Sequence, residues 1–218
     1  MNFQLLYCFL FLSSFFLIIV FCKFLHKKGL HVEYTRKLGH ILSTLSCLFM
    51  PICFSSHWYI LTLSIFSFAI LYIGNRNHLL NPICSIDRKT YGAYLLPISI
   101  CITYYISIWW LKNNLFFILP ITVLAVSDPL ACYFGSKYKS KILTSGKTVI
   151  GTLVFFLSTL IICSSFLLHQ SADLKTAGIA LGTSIITSGV ELISPNGSDN
   201  LTIPLSMIVS LVLFNVIL

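Results

Sequence analysis

Eight long apolar stretches, almost free of charge, leave this chain one way to satisfy its backbone in a bilayer, which is to coil each of them into a helix. The first, Asn2–Cys22, runs about twenty residues without a charge and ends at Lys23. It has no basic residue ahead and no small-residue cleavage site behind, so residues 1–22 read as a first membrane helix rather than a signal peptide. The other spans are expected at about Leu38–Phe54, Trp58–Ile73, Gly92–Leu111, Leu115–Phe134, Val149–Leu168, Thr176–Ile193 and Leu201–Leu218. Pro51 should help to end the second, Trp109 and Trp110 should anchor the fourth at the interface, and Asn113 and Asn114 should turn the chain into the fifth. The expected fold is an all-α polytopic membrane bundle of seven to eight spans, one integral-membrane domain over residues 1–218. At 57% hydrophobic and 9% charged residues, a soluble domain of this size is excluded. The eight cysteines form no CxxC or other metal-like spacing and read as reduced core residues.

The charges that remain fix an orientation. Alternate loops hold Lys23, Lys27, Lys28, Arg36 and Lys37, then Arg76, Arg88 and Lys89, then Lys137, Lys139, Lys141 and Lys147, whereas Lys112 and Lys175 fall on the other side. By the positive-inside rule the basic loops and the Ser194–Asn200 turn are cytoplasmic, and both termini lie outside, on the lumenal side. Asn196-Gly-Ser and Asn200-Leu-Thr match the glycosylation pattern. On this topology neither asparagine carries a glycan, which glycosidase-shift mapping checks.

Against this background the six acidic residues stand out. Asp128 lies inside an apolar run, where a carboxylate costs a few kcal/mol unless it is paired, hydrated or metal-bound. Pro129 follows it and leaves the Ala125 carbonyl without its helical partner. Asp128 is therefore a site candidate by default, with a helix-capping role as the alternative. Downstream come four lysines and then Ser145-Gly146-Lys147-Thr148 ahead of an apolar run, which offers amides, an ammonium and a hydroxyl at a positive dipole end. It is not a P-loop, because the first glycine of that motif would fall at Lys141. Glu191 shares a helical face with Ser184, Thr187 and Ser188, beside a stripe of Gly178, Gly182 and Gly189 that suggests close helix packing. Asp199 and Asn200 open the last apolar run, where Asp199 also reads as an N-cap. Glu33, Arg36, Lys37 and His40 share one face at the second span, with His40 read as structural. Three carboxylates and many cations on one side suit a divalent metal, magnesium above all, bound together with a polyphosphate.

Four motifs, in this order and spacing, resemble the CTP-dependent polyprenol kinase family, which includes dolichol and phytol kinases. They are RKLGH from Arg36, DRKTYGAYLLP from Asp87, SDPLACYFGSKY with SGKTVIGT from Ser127 and Ser145, and ELISPNGSDNLTIPL from Glu191. The resemblance covers residues 36–205. Family members often carry Gly-Asp-x-x-Ala where this chain has Ser127-Asp128-Pro129-Leu130-Ala131, and the acid-rich lead into the second motif is reduced here to Asp87.

The resemblance implies transfer of the γ-phosphate of CTP to the hydroxyl of a membrane lipid of the isoprenoid-alcohol class, with a divalent metal and no nucleic-acid polymer as partner. It assigns Asp128, Glu191 and Asp199 to catalysis and to the metal, with Asp128 the one that could instead take the alcohol proton. Lys137, Lys141, Gly146, Lys147, Thr148 and Asn200 would face the triphosphate, and Arg36, Lys37, Arg88 and Lys89 would close the site. Two neighbouring chemistries use the same parts: a phosphatidate cytidylyltransferase and a CTP-dependent diacylglycerol kinase. A small anion or lipid transporter is the non-enzyme alternative, but it calls for a midplane site and a helix repeat that the sequence lacks.

Overall fold

The computed structural model describes residues 3–76, 91–169, 171 and 173–214. They form eight main helices: α1 (Phe3–Lys27), α2 (Val32–Cys47), α3 (His57–Arg76), α4 (Gly92–Trp110), α5 (Leu115–Lys137), α6 (Val149–Leu168), α7 (Leu174–Ile193) and α8 (Asp199–Leu213). Six of them, α1 and α3–α7, are long and apolar enough to cross a membrane, and the protein is an integral-membrane helical bundle. The expected second and eighth spans are the two shorter helices, α2 and α8. No strand occurs among the described residues beyond one isolated bridge between Ile142 and Thr148.

Local chemistry explains where the helices stop. α1 runs five residues past Cys22 and ends in a basic last turn of His26 and Lys27, which the helix dipole favours. α2 starts at Val32, well before the expected Leu38, with the His31 ring accepting from the Glu33 amide. Pro51 does not simply end that span. It sits in the first turn of a separate one-turn helix, Met50–Cys53, where its missing N–H costs nothing. α4 closes in a π-helical segment, Tyr105–Trp110, and the Asn113 side chain accepts from the Leu115 amide to start α5.

α5 is the axis of the bundle, packed on α2, α4, α6 and α8. Leu119, Pro120, Ile121, Val123, Leu124 and Ala125 are all buried along it. On one side α6–α8 pack around Leu124, Phe155, Ile203 and Met207; on the other, α1–α4 pack around Phe54, Ile60 and Tyr104, with Phe117 and Ile121 reaching over from α5. α5 and α6 meet at a glycine pair. A Cβ on Gly135 would lie 2.7 Å from Thr148 Oγ1 and 3.2 Å from Gly151 Cα, so only glycine lets the two backbones approach this closely. Of the expected α7 stripe only Gly182 is tight, against the Phe214 ring, while Gly178 and Gly189 face open space. α7 instead buries its hydroxyl lane: Ser184, Thr187, Ser188 and Glu191 are all buried.

Candidate active site

The α5–α6 loop, the α7–α8 turn and the start of α4 converge at one end of the bundle, opposite the end where Gln4 bonds the Cys53 carbonyl. Thr144 and Ser145 hydroxyls donate to the Leu192 and Ile193 carbonyls at 3.0 and 3.4 Å, which ties the α5–α6 loop to the end of α7. The Tyr91 amide donates to Asn196 O at 2.9 Å, and Asn200 Nδ2 donates to Gly92 O at 2.7 Å, which ties the start of α4 to the α7–α8 turn. Gly92 has no side chain because a Cβ there would meet Asn200 Nδ2 at 3.0 Å.

These ties bring two charge clusters to a shared cavity. In the first, Lys37 Nζ donates to Asp128 Oδ2 at 2.7 Å, with Asp128 itself buried. His40 Nε2 lies 3.2 Å from the Leu124 carbonyl and 3.8 Å from Asp128 Oδ2. A carbonyl can only accept, so Nε2 carries the hydrogen and the ring is oriented beside the acid. Beside this pair, Arg36 bonds Glu33 at 2.8 Å, and the Cys132 thiol lies 3.8 Å from the same Glu33 oxygen. In the second cluster Lys147 Nζ bridges Glu191 Oε1 and Asp199 Oδ2, the latter at 2.9 Å. Burial opposes the charge on Lys147, but Asp199 and Glu191 outweigh it and hold its pKa above the ordinary lysine range. The second oxygen of Glu191, Oε2, is buried without a hydrogen-bond partner.

The cavity is about 880 Å³, within the range of sites that hold small molecules. Its polar end is walled by both clusters, and it continues into an apolar slot between α1, α2, α3 and α4. Phe16 of α1 and Ile70 of α3 line the slot while remaining 64% and 47% exposed, so the slot opens sideways between those helices. A polar head with an apolar slot and a side gap is a shape for an amphiphile whose hydroxyl meets charge and whose tail meets hydrocarbon.

The chain is similar to a phytol kinase. It is 27% identical over 179 residues to the phytol kinase of Synechocystis sp., which covers 79% of this chain and 76% of that protein. The likeness therefore concerns most of the bundle and not a single motif. No protein-family model matches the chain, and no solved structure matches it.

The residues singled out in the sequence divide into three groups. Arg36, Lys37, Asp128, Gly146, Lys147, Thr148, Glu191, Asp199 and Asn200 line the cavity. Lys137 and Lys141 do not: Lys137 packs over the Tyr133 and Tyr138 rings, and the Lys141 side chain is exposed. Arg88 and Lys89, with the motif around Asp87, lie outside the described residues. Part of the cavity-lining group is already engaged in structure. The amides at the start of α6 are filled by the chain itself, Val149 by Lys141 O, Ile150 by Ser140 Oγ and Gly151 by Thr148 Oγ1 at 3.1, 3.2 and 3.2 Å. The expected amide cradle is thus closed, Thr148 is the N-cap, and Lys147 is left as the cation of that loop. Asn200 serves as a clamp on Gly92, and Asp199 is the first residue of α8 rather than its cap, with Oδ1 accepting from the Asn200 amide.

Among the described residues no group of three histidine, cysteine, aspartate or glutamate side chains is gathered to hold a metal ion unaided. The donor set fits a metal of another kind. Glu191 and Asp199 share one lysine, and Glu191 Oε2 is an orphan, so one or two carboxylates are available to an ion that brings phosphate oxygens with it. Sequence reading passed over Ala131, Cys132 and Gly135. They follow Asp128 at helical offsets of three, four and seven and complete its stripe along the cavity wall.

Proposed function

We propose that the protein is a membrane-embedded lipid-alcohol kinase that transfers the γ-phosphate of CTP to the hydroxyl of an isoprenoid alcohol. The carrying observation is the single cavity in which the Lys37–Asp128 and Lys147–Glu191–Asp199 clusters adjoin an apolar slot with a side gap between α1 and α3. The similarity to a phytol kinase supports the same reading.

In this reading the alcohol enters between α1 and α3 and places its oxygen at Asp128. That oxygen attacks the γ-phosphorus, the bond from phosphorus to the β-bridging oxygen breaks, and the nucleoside diphosphate leaves. Asp128 takes the alcohol proton, oriented by Lys37 and His40. Lys147 and Arg36 neutralise charge on the phosphates, which in phosphoryl transfer supplies most of the catalysis along with positioning. Glu191 and Asp199 would hold a divalent metal, magnesium in this reading, and the ion would supply charge to offset that of the phosphates. The polar end faces the cytoplasm, where the nucleotide is, and both termini lie on the opposite side.

The test is incubation of the purified protein in lipid nanodiscs with γ-labelled CTP or ATP, magnesium and phytol. Labelled phosphoryl alcohol with release of the nucleoside diphosphate is expected, with CTP the better donor. Pyrophosphate with a CDP-lipid would make the protein a cytidylyltransferase, and no product from any alcohol or diacylglycerol would overturn the kinase reading.

A further inference from the structure

The slot has a dead end below its side gap. At the polar mouth Ser145 and Gly146 are exposed, but at the far end Cys47, Met50, Ile60 and Leu63 line the cavity while being 0–3% exposed, so hydrocarbon closes it there. The closure is braced from behind. Tyr104 Oη donates to Phe54 O at 2.8 Å, Gln4 Nε2 donates to Cys53 O at 3.2 Å, and the Ser55 amide donates to Gln4 Oε1 at 3.3 Å. The Phe54 ring packs on Phe11 at 5.4 Å between centroids. The turn that presents Met50 is therefore held at three points.

Two helices give the depth of the slot. Its lining runs from Lys37 to Cys47 on α2 and from Cys22 to Leu12 on α1, ten residues in each case, or about 15 Å. That is about half of the roughly 30 Å hydrocarbon core, the depth of one leaflet. A long tail that left through the gap at Phe16 and Ile70 would leave the dead end empty, and an unfilled apolar cavity forfeits the contacts its walls would otherwise make.

We infer that Met50 and Ile60 form the floor of a tail slot about one leaflet deep, and that they select short prenyl alcohols, of about the length of farnesol or geranylgeraniol, over long polyprenols. This rests on the lipid-alcohol reading above and names the acceptor within it.

The experiment measures kcat/KM for geraniol, farnesol, geranylgeraniol and a long-chain polyprenol in wild type, Ile60→Ala and Ile60→Trp. Binding of the same alcohols without nucleotide is followed in parallel by thermal stabilisation. In wild type the long polyprenol is expected to be the poorest acceptor. Ile60→Ala should move the preference between adjacent members of the series at least tenfold toward the longer alcohol, and Ile60→Trp should move it at least tenfold toward the shorter. Opposite shifts from one position are not produced by a general loss of folding. If wild type phosphorylates no alcohol, the kinase reading falls. If it phosphorylates alcohols but the order of preference stays fixed in both variants, or the long polyprenol is the best acceptor, the floor is elsewhere and the inference is overturned. Should Ile60→Ala fail to fold, Met50→Ala reads the same shift.

Discussion

Asp128→Asn is expected to lower kcat by about 10² to 10⁴-fold, the range set by loss of a positioned general base, while the bundle remains inserted and folded. The amide keeps the volume of the buried side chain and can still accept from Lys37, now 2.7 Å from the carboxylate, but it cannot take a proton from the alcohol. Lys37 is left without its counter-charge, yet its side chain is 19% exposed on the cavity wall, so water can solvate it. The split between constants carries the argument. A group that acts only as the alcohol is deprotonated lowers kcat and leaves the KM values for alcohol and nucleotide near those of wild type. A large rise in nucleotide KM instead would move Asp128 to the metal and phosphates. Turnover within about tenfold of wild type would remove it from the chemistry altogether.

Asp128 stood out in the sequence because an acid in an apolar run has few reasons to be there, and the structure adds what it is paired with. Lys37 lies 91 positions away in sequence, and nothing in the local pattern couples the two. The same pairing explains why the start of α2 was misplaced. The charges of Glu33, Arg36 and Lys37 put the start of the apolar span at Leu38, although these residues share a helical face with His40; in the fold Arg36 bonds Glu33 and Lys37 bonds Asp128, and the helix carries this charged turn from Val32. α6 was legible to the residue, Val149–Leu168, because a Thr148 cap precedes an unbroken apolar run. Its N-terminal amides were not legible as occupied, since their partners Ser140 and Lys141 come from a turn whose geometry depends on left-handed Ser145 (φ 55°) and Gly146 (φ 75°). The apolar slot was also hidden. It belongs to no motif and arises only from how α1–α4 stand apart around it.

Lys147→Met is expected to damage both stability and nucleotide binding, and the two losses can be separated. In wild type its ammonium is shared by Glu191, 2% exposed, and Asp199. Removing one partner of a fully buried ion pair costs about 3–5 kcal/mol because the other charge is left stranded. The cost here is expected at or below the lower end of that range, since the Lys147 side chain is 22% exposed and water reaches the site. Lys147→Met/Glu191→Gln removes one of the stranded charges and should recover most of the lost thermal stability. It should not recover function. Loss of a charge-assisted phosphate contact is worth about 1.5–3 kcal/mol, which raises the KM for the nucleotide about 10- to 150-fold in both the single and the double variant. Thermal unfolding paired with nucleotide titration reads the two effects independently. Glu191→Gln alone, measured beside them, gives the loss that comes from the metal ligand: a further rise in nucleotide KM in the double variant, with stability recovered, places Lys147 on the phosphates, whereas a double variant no weaker than Glu191→Gln would make the Lys147–Glu191–Asp199 cluster a structural tie between the α5–α6 loop and the ends of α7 and α8.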